Sequence, residues 1–391
     1  MKIIYSILGV LFVVVLVTQI APISAQTCLA SDPSDSKSFG SALAVSDKYL
    51  AVGDPDANRV VLYSREPDGN WSRIKNILPP KGSSADKAGK GFGYSLALND
   101  NTLVIGAYLE VKRKKPNNSY QIQQFGSVYF APITSKSIGT LREISIPDTD
   151  LLVGHAVSFL KDRIAFTGKT GIWEGQVLIA DSNTGKITSR IKPPKGFSDL
   201  FGLNIKTADE SLLISANGSL PSVGAYLATI NGKLEKILFD EVDNRPFSTT
   251  GSMAISEDLI AIGRIGAFGG SDTLLFRQSA NKWLLVGTVR LHGFLDASNS
   301  RFLISSTLEQ EMVNYNQHSS QPDYLLFRVD ADKVVIESEI RWRNNTPVLE
   351  PRGVIDSEDL LLSAEGRVVQ LPIANLSSSY VIKRPLRRIC P

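Results

Sequence analysis

The stretch from Phe39 to Arg65 alternates short apolar runs with polar breaks. It contains a Phe-Gly pair, an alternating run, a turn at Ser46-Asp47-Lys48, a second run ending in Gly53-Asp54-Pro55, and a third from Val60 to Tyr63. Each run has strand length and is rich in β-branched or aromatic residues, and each break falls on turn-forming residues. By itself the stretch predicts a three-stranded meander.

The same pattern returns at Phe92-Gly93, Val153-Gly154, Phe201-Gly202, Thr250-Gly251, His292-Gly293 and Arg352-Gly353. The glycine holds in every copy while the aromatic before it decays, and the spacing averages about 52 residues. Each copy closes on one more run: Trp71 to Leu78, Leu141 to Ile146, Lys186 to Ile191, Lys233 to Phe239, Trp283 to Leu291, Val334 to Trp342, and Tyr380 to Ile389. Four short strands in up-and-down order predict one propeller blade per copy. A blade buries both its faces only between neighbours, so the copies must close into a ring. The expected fold is all-β: a seven-bladed β-propeller of four-stranded antiparallel blades. It occupies 26–391 as a single domain, with repeats starting near 39, 92, 153, 201, 250, 292 and 352.

The first 25 residues stand outside this pattern. Lys2, an apolar run from Ile3 to Val17 and the small-residue end Ile23-Ser24-Ala25 have the form of a secretory signal, with cleavage expected after Ala25. The run is shorter than a spanning helix needs, so the mature protein is expected to be secreted, with no stable membrane insertion. Export permits a disulfide between the two cysteines. Cys28 precedes the first copy and Cys390 follows the last, so a Cys28–Cys390 bond would clasp the ring where the open chain lacks an inter-blade connector. The signal contributes one of the 42 basic residues and none of the 39 acidic ones. That near balance argues against nucleic acid as a partner, because phosphate binding needs a concentrated basic face.

The layout FG, then GDP or GAY, then VVLY or SVYFA resembles the FG-GAP repeat of integrin α-chain propellers, over nearly the whole mature chain. The resemblance implies seven blades and ligand contacts on the face that carries the blade connectors. It also implies an extracellular binding or adhesion role toward a protein or glycan, with a second subunit left open. Calcium-binding members carry an Asp-x-Asp-x-Asp-Gly loop between the first two strands of a blade. Here that junction is only a short turn in every copy, which is too few oxygens for a calcium shell. Asp54-Pro55-Asp56-Ala57-Asn58 has ligand-like spacing but follows the second strand and reads as an Asx-rich turn. No metal and no cofactor are expected.

Candidate ligand contacts are the departures from the repeat. The connector face is expected to carry two long loops: 107–125, with Arg113, Lys114, Lys115 and Tyr120, and 307–323, with Glu309, Glu311, Tyr315, His318 and Asp323. Trp173 and Phe268 sit on shorter loops of that face, where an aromatic suits stacking on a sugar or anchoring a partner. His292 and Arg352 replace the repeat's Phe in adjacent copies, and with His155 they are expected near the pore mouth. No nucleophile elbow, zinc-binding helix or Cys/His cluster occurs. The alternative function, an extracellular hydrolase or lyase acting on a polysaccharide or other polymer, would need acids brought together in space. Asn70, Asn117, Asn217, Asn344 and Asn375 open glycan-acceptor sequences, which matter in a eukaryotic secretory pathway.

Overall fold

Each of the first six copies of the repeat forms one sheet whose four main strands pair antiparallel and follow in chain order from the centre outward. The first is Ala42–Val45, Tyr49–Asp54, Arg59–Arg65 and Trp71–Ile77, and the next five sheets repeat this order with minor additions. The computed structural model describes residues 27–29 and 35–381, except 115–119, 135–136, 147–149, 152, 171–173, 195–200, 217–223, 230–232, 238–246, 267–270, 281, 292, 299, 307–322, 331–332, 342–351, 357, 365–366 and 377–378. With a seventh sheet, whose outer strand comes from the start of the chain, these six make a seven-bladed β-propeller. Among the described residues no helix is long and apolar enough to cross a membrane.

The second and third strands of each blade read as nearly continuous apolar runs because both of their faces are covered. Leu50, Ala51 and Val52 are fully buried, as are Val60, Val61, Leu62 and Tyr63. The buried side chains form clusters that each join two neighbouring blades. Leu62 and Ile77 of blade one meet Phe92 and Ile105 of blade two, and the series ends where Leu361 and Val368 of blade seven meet Leu50 and Tyr63 of blade one. At about 1.5–3 kcal/mol per fully buried large side chain, the blade interfaces hold the ring together.

The repeat's glycines mark where these interfaces are closest. A Cβ on Gly53 would stand 2.2 Å from the carbonyl oxygen of Gly93, and one on Gly106 would stand 2.2 Å from that of Gly154. The Phe92-Gly93, Val153-Gly154 and Phe201-Gly202 entries thus lie against the backbone of the preceding blade, and Gly40 lies against the Ser363 side chain of blade seven. Gly93 and Gly154 also take left-handed conformations, with φ of 87° and 78°, that a side chain would strain.

Two sequence expectations are corrected. The outer strand of blade seven comes from the other end of the chain: Thr27–Cys28 pairs antiparallel with Arg367–Pro372, with Thr27 opposite Gln370 and Cys28 opposite Val369. The strand expected from Tyr380 onward, seen as Ser379–Val381, instead pairs parallel with Lys333–Arg341 as a fifth strand of blade six. Counting from Phe39 placed Thr27–Cys28 before the first repeat, where the pattern offers no partner for it. The main-chain pairing itself supplies the inter-blade link. Cys390 and the side chain of Cys28 lie outside the described residues.

The second correction concerns 107–125. Thr102–Lys114 and Tyr120–Thr134 stay in register from Thr102↔Pro132 to Lys114↔Tyr120, so the expected loop is a two-stranded ribbon. The inner strand of blade two stops pairing at Ala107, and the ribbon continues beyond it for about 20 Å at ordinary strand rise. Its apolar residues are spread through a charged sequence, which hid the strand period.

Candidate functional site

The hairpins between first and second strands and between third and fourth strands lie on one face. The blade connectors and the second-to-third strand links lie on the other. Arg113 and Lys114 stand near the tip of the ribbon that rises from the connector face, opposite Gln121 and Tyr120. Their side chains, and Lys115, Trp173, Phe268, His292, Tyr315 and His318, lie outside the described residues. So do Asn117, Asn217, Asn344 and the side chain of Asn375. Asn70 is exposed at a hairpin of blade one, where its amide contacts Asp68.

Arg352 opens the inner strand of blade seven, opposite Ser363. Its charge bears on His155 of blade three, three blades further round the closed ring. The position directly after the repeat glycine decides what faces this channel mouth. Blade one has Ser41 there, whereas blades two and three have Tyr94 and His155.

Those two rings and Tyr108 form one cluster. Tyr94 and Tyr108 meet edge-to-face at 5.0 Å between centroids, His155 lies 5.2 Å from Tyr94, and His155 lies 5.0 Å from Tyr108. His155 Nδ1 stands 2.9 Å from the carbonyl oxygen of Leu203, an acceptor, so Nδ1 carries the hydrogen. Nε2 is then free to accept the Tyr94 hydroxyl at 3.4 Å, and the Tyr108 hydroxyl donates to Glu110 at 3.4 Å. Burial pushes the His155 pKa below its ordinary value; Arg352 adds to that, while the Leu203 carbonyl and Glu110 oppose it. The imidazole is therefore neutral near pH 7. Tyr94 is 39% exposed and presents a phenol to the connector face. The sequence carried a signal for this cluster in FGY and GAY, but both were absorbed into the blade pattern.

Asp54 is explained by packing. Its carboxylate is fully buried, and Arg59 donates to it from Nε and a terminal nitrogen at 3.1 and 3.0 Å. The hydroxyls of Ser36 and Ser38 donate to its other oxygen, the latter at 2.9 Å. Asn58 at the end of the same turn accepts from the Phe92 amide and donates to the Ala85 carbonyl, both at 3.1 Å. The Asp-Pro-Asp turn thus ties blade one to the connector entering blade two. Among the described residues no three His, Cys, Asp or Glu side chains gather as metal ligands.

Two concavities open on the hairpin face. One is a cavity of about 430 Å³ at that end of the central channel, walled by inner strands. The other, about 950 Å³, lies between blades six, seven and one. On its wall Gln370 donates to Asp359 at 2.7 Å and to the Gly69 carbonyl at 3.1 Å, and burial raises the Asp359 pKa.

No known family profile matches the sequence, and no curated protein matches it. Solved structures do match in shape. A chain of the mitotic checkpoint complex aligns over 95% of this chain and 99% of its own, with a TM-score of 0.51 and 10% identity. The WD40 domain of Toxoplasma gondii coronin aligns over 89% of this chain and 83% of its own, with a TM-score of 0.50 and 11% identity. The likeness is one of fold. At such identities it carries no activity, ligand or partner across.

Proposed function

We propose that this chain is an exported binding module of the FG-GAP type, engaging an extracellular protein or glycan through its connector face. The observation that carries this reading is the ribbon of blade two. It extends the second and third strands well past the ring, and it rises from the same blade as the exposed phenol of Tyr94. A paired ribbon holds contact residues at a lower entropic cost than an open loop of equal length. The close approach of Gly40, Gly93, Gly154 and Gly202 to the preceding blade supports the FG-GAP assignment.

The mature protein, immobilised and screened against glycan and extracellular-protein arrays, is expected to bind in a manner that weakens when 108–126 is replaced by a tight turn. Full binding by the trimmed protein would sink the connector-face reading. Turnover of a polysaccharide by the intact protein, with no binding in either array, would favour the hydrolase alternative.

A further inference from the structure

The channel cavity on the hairpin face mixes polar groups with apolar side chains, and among the described residues one ionic couple spans it. Leu43, Leu96, Leu98, Phe159 and Val354 contribute to its wall, each only partly buried. Across this space Lys206 Nζ of blade four meets Asp296 Oδ1 of blade six at 3.0 Å, reaching past blade five. The two partners are held differently. Asp296 Oδ2 accepts the Ile355 backbone N–H at 3.0 Å and is fixed to blade seven, whereas Lys206 sits on a flexible stem with 40% of its side chain exposed. The other charged groups in the wall are Asp47, exposed at the rim, and Asp356, which is paired with Arg65. Ser158 and Thr207 hydrogen-bond to each other at 2.7 Å.

We propose that this end of the channel binds a small zwitterion with an apolar body, such as a free α-amino acid with a large apolar side chain. Its ammonium replaces Lys206 on Asp296, its carboxylate takes the displaced Lys206, and its side chain rests on the apolar wall. A ligand with one charge leaves either Lys206 or Asp296 uncompensated in a partly desolvated site, which is costly. A ligand with both charges satisfies the couple, and the cavity volume lies within the range of small-molecule sites. The site is on the opposite face from the ribbon, so it stands or falls independently of the proposed connector-face binding.

Calorimetry on the full mature protein tests this with phenylalanine, leucine, N-acetylphenylalanine and phenylalaninamide. The free amino acids are expected to bind, and capping either end should weaken binding by about tenfold or more. Lys206→Met and Asp296→Asn are each expected to weaken phenylalanine similarly, and Leu43→Trp, which fills the cavity while sparing the couple, to abolish it. Equal binding of capped and free forms overturns the proposal. So does unchanged affinity in a folded Lys206→Met protein. If no free amino acid binds the wild type, the couple is a strut only and the proposal fails, whatever the variants do to stability.

Discussion

Thr27 lies opposite Gln370 in an antiparallel pair, so the first described strand and the last blade of the chain are one sheet. Leu29, which follows in this strand, donates its amide to the Val368 carbonyl at 3.2 Å and is 4% exposed in the core between blades seven and one. Leu29→Ala is expected to cost about 2–5 kcal/mol. Deleting the strand should also expose the blade seven–blade one junction to limited proteolysis. A deleted chain with wild-type melting and protease resistance would remove the strand's role in closure.

The expected Cys28–Cys390 bond would add a covalent clasp to a strand already in place. Peptide mapping without reduction should recover the two cysteines as one cross-linked pair, and reduction should lower the melting temperature. The chain-entropy ceiling for so long a loop is about 5–6 kcal/mol. Two free thiols in the mature protein would reject it.

Gly106 has no room for a side chain: a Cβ there would stand 2.1 Å from Ser95 Oγ and 2.2 Å from the Gly154 carbonyl oxygen. Gly106→Ala is expected to destabilise by about 3 kcal/mol or more in urea. Gly69, with φ of 83° and nothing within 4 Å, provides the control. There a side chain adds only backbone strain, and Gly69→Ala should cost about 1–2 kcal/mol.

Arg59→Met should cost about 3–5 kcal/mol, because it leaves the buried carboxylates of Asp54 and Asp35 without the cation they share. The double variant Arg59→Met/Asp54→Leu should recover part of that loss, with the remainder due to Asp35. Equal destabilisation of single and double variants in a denaturant series would show that the ion pair is not the cause.

His155 gives the connector mouth a pH dependence with a defined sign. Its folded pKa is depressed from 6.5, chiefly by burial, so below the unfolded value the unfolded chain binds more protons than the folded one. Stability should therefore fall as pH drops from about 7.5 to about 5.5, and His155→Gln should flatten that part of the profile. An unchanged profile in the variant would place the titration elsewhere.

Most of the architecture was legible because a propeller repeats one local rule. Phe39-Gly40 and its successors, the turn residues at Lys161-Asp162 or Asp209-Glu210, and the apolar central strands all report on short-range geometry. The left-handed φ of 57° at Lys161 and 49° at Asp209 agree with those hairpins. Little of the candidate site was legible. Tyr94 and Tyr108 look like repeat residues until the ring turns them onto His155, and Lys206 and Asp296 are 90 residues apart with no motif between them.

The sequence alone determined the seven copies, the four-strand unit and the glycines that let one blade lie against the next, because strand period and turn chemistry act between near neighbours. Only the tertiary structure decided that Thr27–Cys28 closes blade seven while Ser379–Val381 joins blade six. Both segments have strand character, and which edge each one takes depends on where the ring ends meet. The same holds for the channel. Its walls and its charge couple exist only because closure brings inner strands from distant copies around one axis.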